Sequence, residues 1–207
     1  IKCHSFISEC TFGLPAFNWS PQEQVFKEIN SWWHQCISDG LTPILAAYGL
    51  GKAQRLIAGL DTNIRPIITH GAIEKTNQIM RDQKIAIPET FLVTSKLNLA
   101  NFKNAIVLAP PSALSTSWVK KFGKISTGYA SGWMAIRGIK RRRAADKGFV
   151  ISDHADWNGL NLAIKETEAE KIFVTHGYTD SFSKWLQFKG LNASVVKTEF
   201  TTTEDDI

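Results

Sequence analysis

From Thr42 onward, short apolar runs alternate with segments of helical spacing, and few backbones satisfy that order. Residues 43–47 are apolar, 52–60 helix-like, 66–69 apolar, 74–83 helix-like and 105–109 apolar again, just before Pro110 and Pro111. Strands separated by helices need crossover connections, so this order predicts βαβαβ units and a parallel sheet. A glycine-spaced stretch at 126–134 is β-like. Beyond it the rhythm resumes as strand 149–152, helix 156–168, strand 171–175, helix 179–189 and strand 193–197. Upstream, Ser20, Pro21 and Glu23 read as a capping box with proline at the first helical position. Val25, Phe26, Ile29, Trp32, Trp33, Cys36 and Ile37 then follow at helical spacing up to Gly40, which predicts one long amphipathic helix with core tryptophans.

At 207 residues, 43% hydrophobic and 21% charged, the chain can bury one large core or two small ones. It has no apolar stretch long enough to span a bilayer, so no membrane partner is expected, and no repeat at solenoid periods. The chain opens on Ile1 inside what already reads as a strand, and the expectation is a fragment of a longer protein. Seams are expected near 13–19 and 130–138. On that reading residues 1–13 and 135–207 form one split domain, and 14–134 are inserted into it. Cys3, Cys10 and Cys36 are odd in number and lack finger spacing, which predicts buried thiols in a reducing, cytoplasmic compartment. Cys10 has no basic neighbour in sequence and reads as packing.

The residues that carry chemistry sit where strands are expected to end. Residues 149–154 read FVISDH, 173–176 read FVTH, and 6–13 read FISECTFG, so His154, His176 and Glu9 each close an apolar run. In open α/β sheets the carboxyl ends of strands face the ligand crevice, and imidazole binds metal or moves a proton near neutral pH. Glu9 is then placed to orient one imidazole. His4, His34 and His70 lack that placement and read as hydrogen-bonded structural groups. The glycines of Gly49-Leu50-Gly51-Lys52 do not make a nucleotide loop: Ala46, Ala53 and Gln54 occupy positions that phosphate-binding fingerprints require otherwise. They read as a tight strand-to-helix turn. There is no serine elbow and no close Cys/His dyad. One carboxylate and two imidazoles fall short of a hydrolytic metal site, which needs at least three protein ligands per zinc, so the missing ligands are expected upstream of Ile1.

Charge narrows the partner. The net charge is +5 with pI near 9.1, and residues 137–147 (RGIKRRRAADK) hold six cations against one acid. Lys140, Arg141, Arg142 and Arg143 are therefore candidate contacts to a phosphate backbone, although an isolated basic run is often only a solvated loop.

Taken together, FISECTFG, YGLGKAQRL, VISDHADW and FVTHG resemble motifs of the metallo-β-lactamase-fold nucleases that carry a β-CASP cap. SGWMAIRG followed by KRRR, with LAPPSA, is similar to the ligase-associated DNA exonuclease branch. The resemblance covers nearly the whole chain. It implies the C-terminal part of an αββα sandwich with an inserted parallel-sheet α/β cap, and an exonuclease acting on DNA in repair beside a DNA ligase and a helicase. It further implies two divalent metal ions, zinc or manganese, with His176 as a ligand, His154 at the scissile phosphate or leaving oxygen, and Glu9 holding His154. Phe149 and Ile151 stand where an H-x-H-x-D-H run ending at His154 would place histidines, so that segment is not the family's ligand run. The run, the family's next histidine and its bridging aspartate lie N-terminal to Ile1 in relatives, and this chain alone is expected to bind metal poorly and not to cut. Alternatives are an RNA-processing nuclease of the same fold, a non-catalytic nucleic-acid binder, or a hydrolase of small esters and thioesters.

Overall fold

The structure is a computed structural model that describes residues 1–94, 98–138 and 145–196. Its described strands and α-helices run β1 (Ser5–Cys10), α1 (Gln22–Ser38), β2 (Thr42–Ala46), α2 (Lys52–Gly59), β3 (Ile67–Thr69), α3 (Gly71–Asp82), β4 (Phe91–Leu92), β5 (Ile106–Ala109), β6 (Ile125–Ala130), β7 (Lys147–Phe149), α4 (Trp157–Thr167), β8 (Lys171–Gly177), α5 (Thr179–Phe188) and β9 (Ala193–Val195). The chain divides into two compact units, one of residues 1–18 with 154 onward and one of residues 19–153. Among the described residues no helix is long and apolar enough to cross a membrane.

The larger unit is a parallel sheet in the order β4-β3-β5-β2-β6-β7. Its central strands are buried along both faces, as near-continuous Ile, Leu, Val and Ala runs require in parallel sheets. One face packs Leu45, Ile67, Ile106 and Leu108 against α1, α2 and α3. Helix α1 presents Val25, Ile29, Trp32, Trp33 and Cys36 to that core. The indole N–H groups of Trp32 and Trp33 donate to Ser126 Oγ (3.2 Å) and the Asn104 carbonyl (2.9 Å), so neither ring buries an orphan donor. The opposite face packs Ile44, Ile68 and Val107 under 3₁₀ segments at Leu99–Phe102, Pro111–Ser115 and Ser117–Phe122.

A polar cluster locks α3 to the strands. The Glu74 carboxylate accepts hydrogen bonds from Thr69 Oγ1 (2.6 Å), Thr90 Oγ1 (2.6 Å), Asn77 Nδ2 (3.0 Å) and Arg81 Nη1 (2.7 Å). Burial by itself raises this carboxyl's pKa, but the four donors outweigh it and hold the group below its ordinary value.

The smaller unit is a parallel sheet in the order β1-β8-β9. Helices α4 and α5 cover one of its faces, where Leu160, Ile164, Phe182 and Leu186 meet Cys10, Ile172 and Val174. Alternation along β1 turns Ile7 to the other face, where its side chain is 65% exposed.

Three local expectations give way. Pro21, not Ser20, caps α1: its carbonyl accepts from Gln24 N, and no side-chain cap bond forms. The strand expected at 149–152 is β7 at Lys147–Phe149. It pairs with β6, Ala130 beside Phe149, and Phe149 is fully buried against Trp32. That pairing puts the described residues between 135 and 153 with the larger unit and moves the second seam from near 130–138 to between Asp153 and His154. The basic run Lys140, Arg141, Arg142 and Arg143 lies outside the described residues.

Candidate active site

The carboxyl ends of β1 and β8 form the edge where the smaller unit gathers its chemistry. Their register sets Glu9 beside Thr175 and Cys10 beside Gly177, with a shift between those pairs that leaves His176 as the extra residue of a bulge. His176 adopts φ 51° and Gly177 φ 98°. A Cβ at Gly177 would press into the Cys10 carbonyl and the Thr11 amide, so only glycine lets the chain close on β1 there. The bulge leaves the His176 side chain exposed at the strand end.

His154 comes to the same edge from a different element. It does not end a strand: it lies five residues beyond β7, just ahead of α4, whose N-cap Asp156 accepts from Gly159 N at 2.7 Å. Trp157 N donates to the Phe17 carbonyl at 3.0 Å, tying the start of α4 to the loop after β1. His154 Nδ1 then stands 3.3 Å from Glu9 Oε1, with the imidazole 45% and the carboxylate 32% exposed. Glu9 Oε2 accepts the Thr11 N–H at 2.6 Å, which fixes the carboxylate from behind. The buried Phe12 ring meets the imidazole edge to face at 5.9 Å. A carboxylate at Nδ1 favours the tautomer with the proton on that nitrogen, which makes Nε2 the basic nitrogen of the neutral ring.

Cys10 is the part of this edge that sequence reading undervalued. Its buried thiol donates to the His176 carbonyl (3.2 Å) and so braces the bulge. Burial first, and then the charge of Glu9, push its pKa up to about 12, so it stays a protonated donor and no nucleophile. The register slip that makes the bulge has no local sequence signal except the glycine after His176.

In the larger unit, buried Lys52 at the start of α2 approaches Asp153 Oδ2 at 3.6 Å, and Arg55 Nη1 donates to the Ser152 carbonyl at 2.6 Å. Burial lowers the Lys52 pKa, against the pull of Asp153. The glycine turn expected before α2 is present, with Gly51 at φ 79° and Gln54 Nε2 donating to the Gly49 carbonyl at 3.0 Å.

Among the described residues no three His, Cys, Asp or Glu side chains are grouped to hold one ion. Glu9 faces His154, and His176 contributes a single imidazole. These residues alone therefore do not fit a hydrolytic metal centre, which asks for three or more protein ligands.

No family model matches the chain. It is similar to a protein of Opitutus terrae (strain DSM 11246 / JCM 15787 / PB90-1) called probable DNA ligase, with 29% identity over 187 residues. That alignment takes in 90% of this chain but 18% of the relative, so the chain spans less than a fifth of the curated protein it matches.

Proposed function

We propose that this chain is the proton-moving part of a metallo-β-lactamase-fold nuclease that acts on DNA, with residues 19–153 as its β-CASP-like cap. The observation that carries the reading is the Glu9–His154 pair, 3.3 Å apart, at the strand edge that also bears His176. Two further features support it. The smaller sheet has helices on one face and exposed Ile7 on the other, as half of an αββα sandwich would. The similar protein from Opitutus terrae carries a DNA ligase name, which suits a nuclease module that works beside a ligase.

In this reading His154 acts at the scissile phosphodiester. Water oxygen bonds to phosphorus, the P–O bond to the leaving oxygen breaks, protonated His154 gives its Nε2 proton to that oxygen, and the proton shed by the attacking water passes to solvent, from which His154 is reprotonated. Glu9 keeps the ring oriented and offsets the imidazolium charge. General acid catalysis of this kind contributes about 10²–10⁴-fold. The described residues alone do not make a site for a metal ion, and His176 would be one ligand in a protein that supplies the others. DNA is preferred to RNA on the family resemblance and the relative's name.

The test is cleavage of an end-labelled DNA duplex, and of a matched RNA, by the full-length protein and its His154→Ala and His176→Ala variants. The reading expects stepwise shortening of the DNA, a loss of about 10²-fold or more in His154→Ala, and reduced bound metal only in His176→Ala. Preferential cutting of the RNA would move the reading to an RNA-processing nuclease. Sealing of a nicked duplex without shortening would replace it by the strand-joining activity that the relative's name carries.

A further inference from the structure

Residues 90–145 contain ten Lys and Arg and no Asp or Glu. With 19 acids in 207 residues, a segment of 56 would hold about five by chance, so this is a separation of charge and not a mean. Four of these cations, Lys103, Lys120, Lys121 and Lys124, are exposed among the described residues and form no ion pair there.

The fold gives part of this segment a shape. Over the sheet face opposite α1–α3, at the amino end of β2 and β5, lies a groove of about 340 Å³. Its lining includes Leu41, Phe102, Lys103, Asn104, Lys121 and Phe122. The wall is anchored by Thr42, which donates from Oγ1 to the Phe122 carbonyl (3.1 Å) and from N to the Lys124 carbonyl (2.8 Å). Lys121 Nζ lies over the Trp118 ring at 5.2 Å. Asp39, which precedes the lining residue Gly40, accepts from Gln35 Nε2 (2.9 Å) and makes no ion pair among the described residues with the lysines of this segment.

We propose that this groove is a nucleic-acid contact in its own right, with Lys103 and Lys121 meeting the phosphates of a single strand and the half-buried Phe102 and Phe122 of its lining beside the bases. Cations without acidic partners attract a polyanion and release its counterions on binding. Aromatic side chains beside the cations, Phe102 packed on Phe91 (4.9 Å) and Phe122 on Trp118 (4.9 Å), suit a single strand, since every base has a face to stack. The proposal is independent of the nuclease reading, because binding is measured without turnover.

The experiment is fluorescence anisotropy of a labelled single-stranded oligothymidylate with the full chain, titrated at several salt concentrations. Lys103→Glu/Lys121→Glu is compared with Lys103→Arg/Lys121→Arg and with alanines at Lys140, Arg141, Arg142 and Arg143, each checked for native circular dichroism. The expected result is a Kd weakened about tenfold or more by charge reversal, a salt slope shallower by about 1.4 for two lost contacts, and near-native binding in the arginine pair. Unchanged affinity and slope on charge reversal would overturn it, as would loss confined to the alanine variant. Competition by polyglutamate as strong as by unlabelled oligonucleotide would also overturn it, in favour of an acidic protein partner.

Discussion

The two parallel sheets of this protein use the same connection rule and reach opposite degrees of closure. In the six-stranded sheet, Ile44 and Leu45 are both fully buried although they point to opposite faces, because helices cover one side and 3₁₀ segments the other. In the three-stranded sheet, Cys10 is fully buried while Ile7, three residues earlier on the same strand, is mostly exposed. Within this chain the six-stranded sheet is packed on both faces and the three-stranded sheet on one, and the candidate chemistry lies at a strand edge of the latter, held by a few specific contacts.

Substitutions should reproduce that contrast. Leu45→Ala removes a fully buried side chain and should cost about 2–5 kcal/mol in chemical denaturation, whereas Ile7→Ser should stay within about 0.5 kcal/mol. Equal losses would erase the distinction. Gly177→Ala sharpens it from the other side: the new Cβ meets the Cys10 carbonyl and the Thr11 amide at a left-handed backbone position, and a loss of about 3 kcal/mol is expected from a single exposed residue. Glu74→Gln in the larger unit should cost about 2 kcal/mol near neutral pH. Its carboxyl titrates lower in the folded than in the unfolded chain, so its contribution is complete above the ordinary value of 4.5 and disappears as pH falls through the folded value. Unfolding followed from pH 7 down to acid should therefore show a shallower loss in the glutamine variant, and parallel profiles would remove Glu74 as the source.

The alternation of apolar and helical segments made the parallel α/β architecture legible, because that periodicity is a local property of the chain. Boundaries set by partners were not. The apolar run continues through Val150 and Ile151, and Ile151 is buried, yet β7 stops at Phe149 where pairing with β6 ends. A loop packed into a core and a strand read alike in one dimension. β4 is two residues long, below any periodic signal. The Glu74 cluster did have a trace, since Glu74, Asn77 and Arg81 fall at helical spacing on a side of α3 that also buries Ile73. At the candidate site, single residues could be nominated from strand-end placement and family resemblance, but the 3.3 Å approach of His154 to Glu9 depends on a long-range fold. The bulge that isolates His176 depends on register.

The central claim is that Glu9 holds His154 as the working imidazole at the edge of the smaller sheet. Its most direct test is the histidine tautomer, read by long-range ¹⁵N–¹H NMR correlation on this chain with and without Glu9→Gln. The account predicts that His154, assigned by its own substitution, carries its neutral-state proton on Nδ1 in the unaltered chain and shifts toward the Nε2 tautomer when the carboxylate is lost. A tautomer indifferent to Glu9 would contradict it.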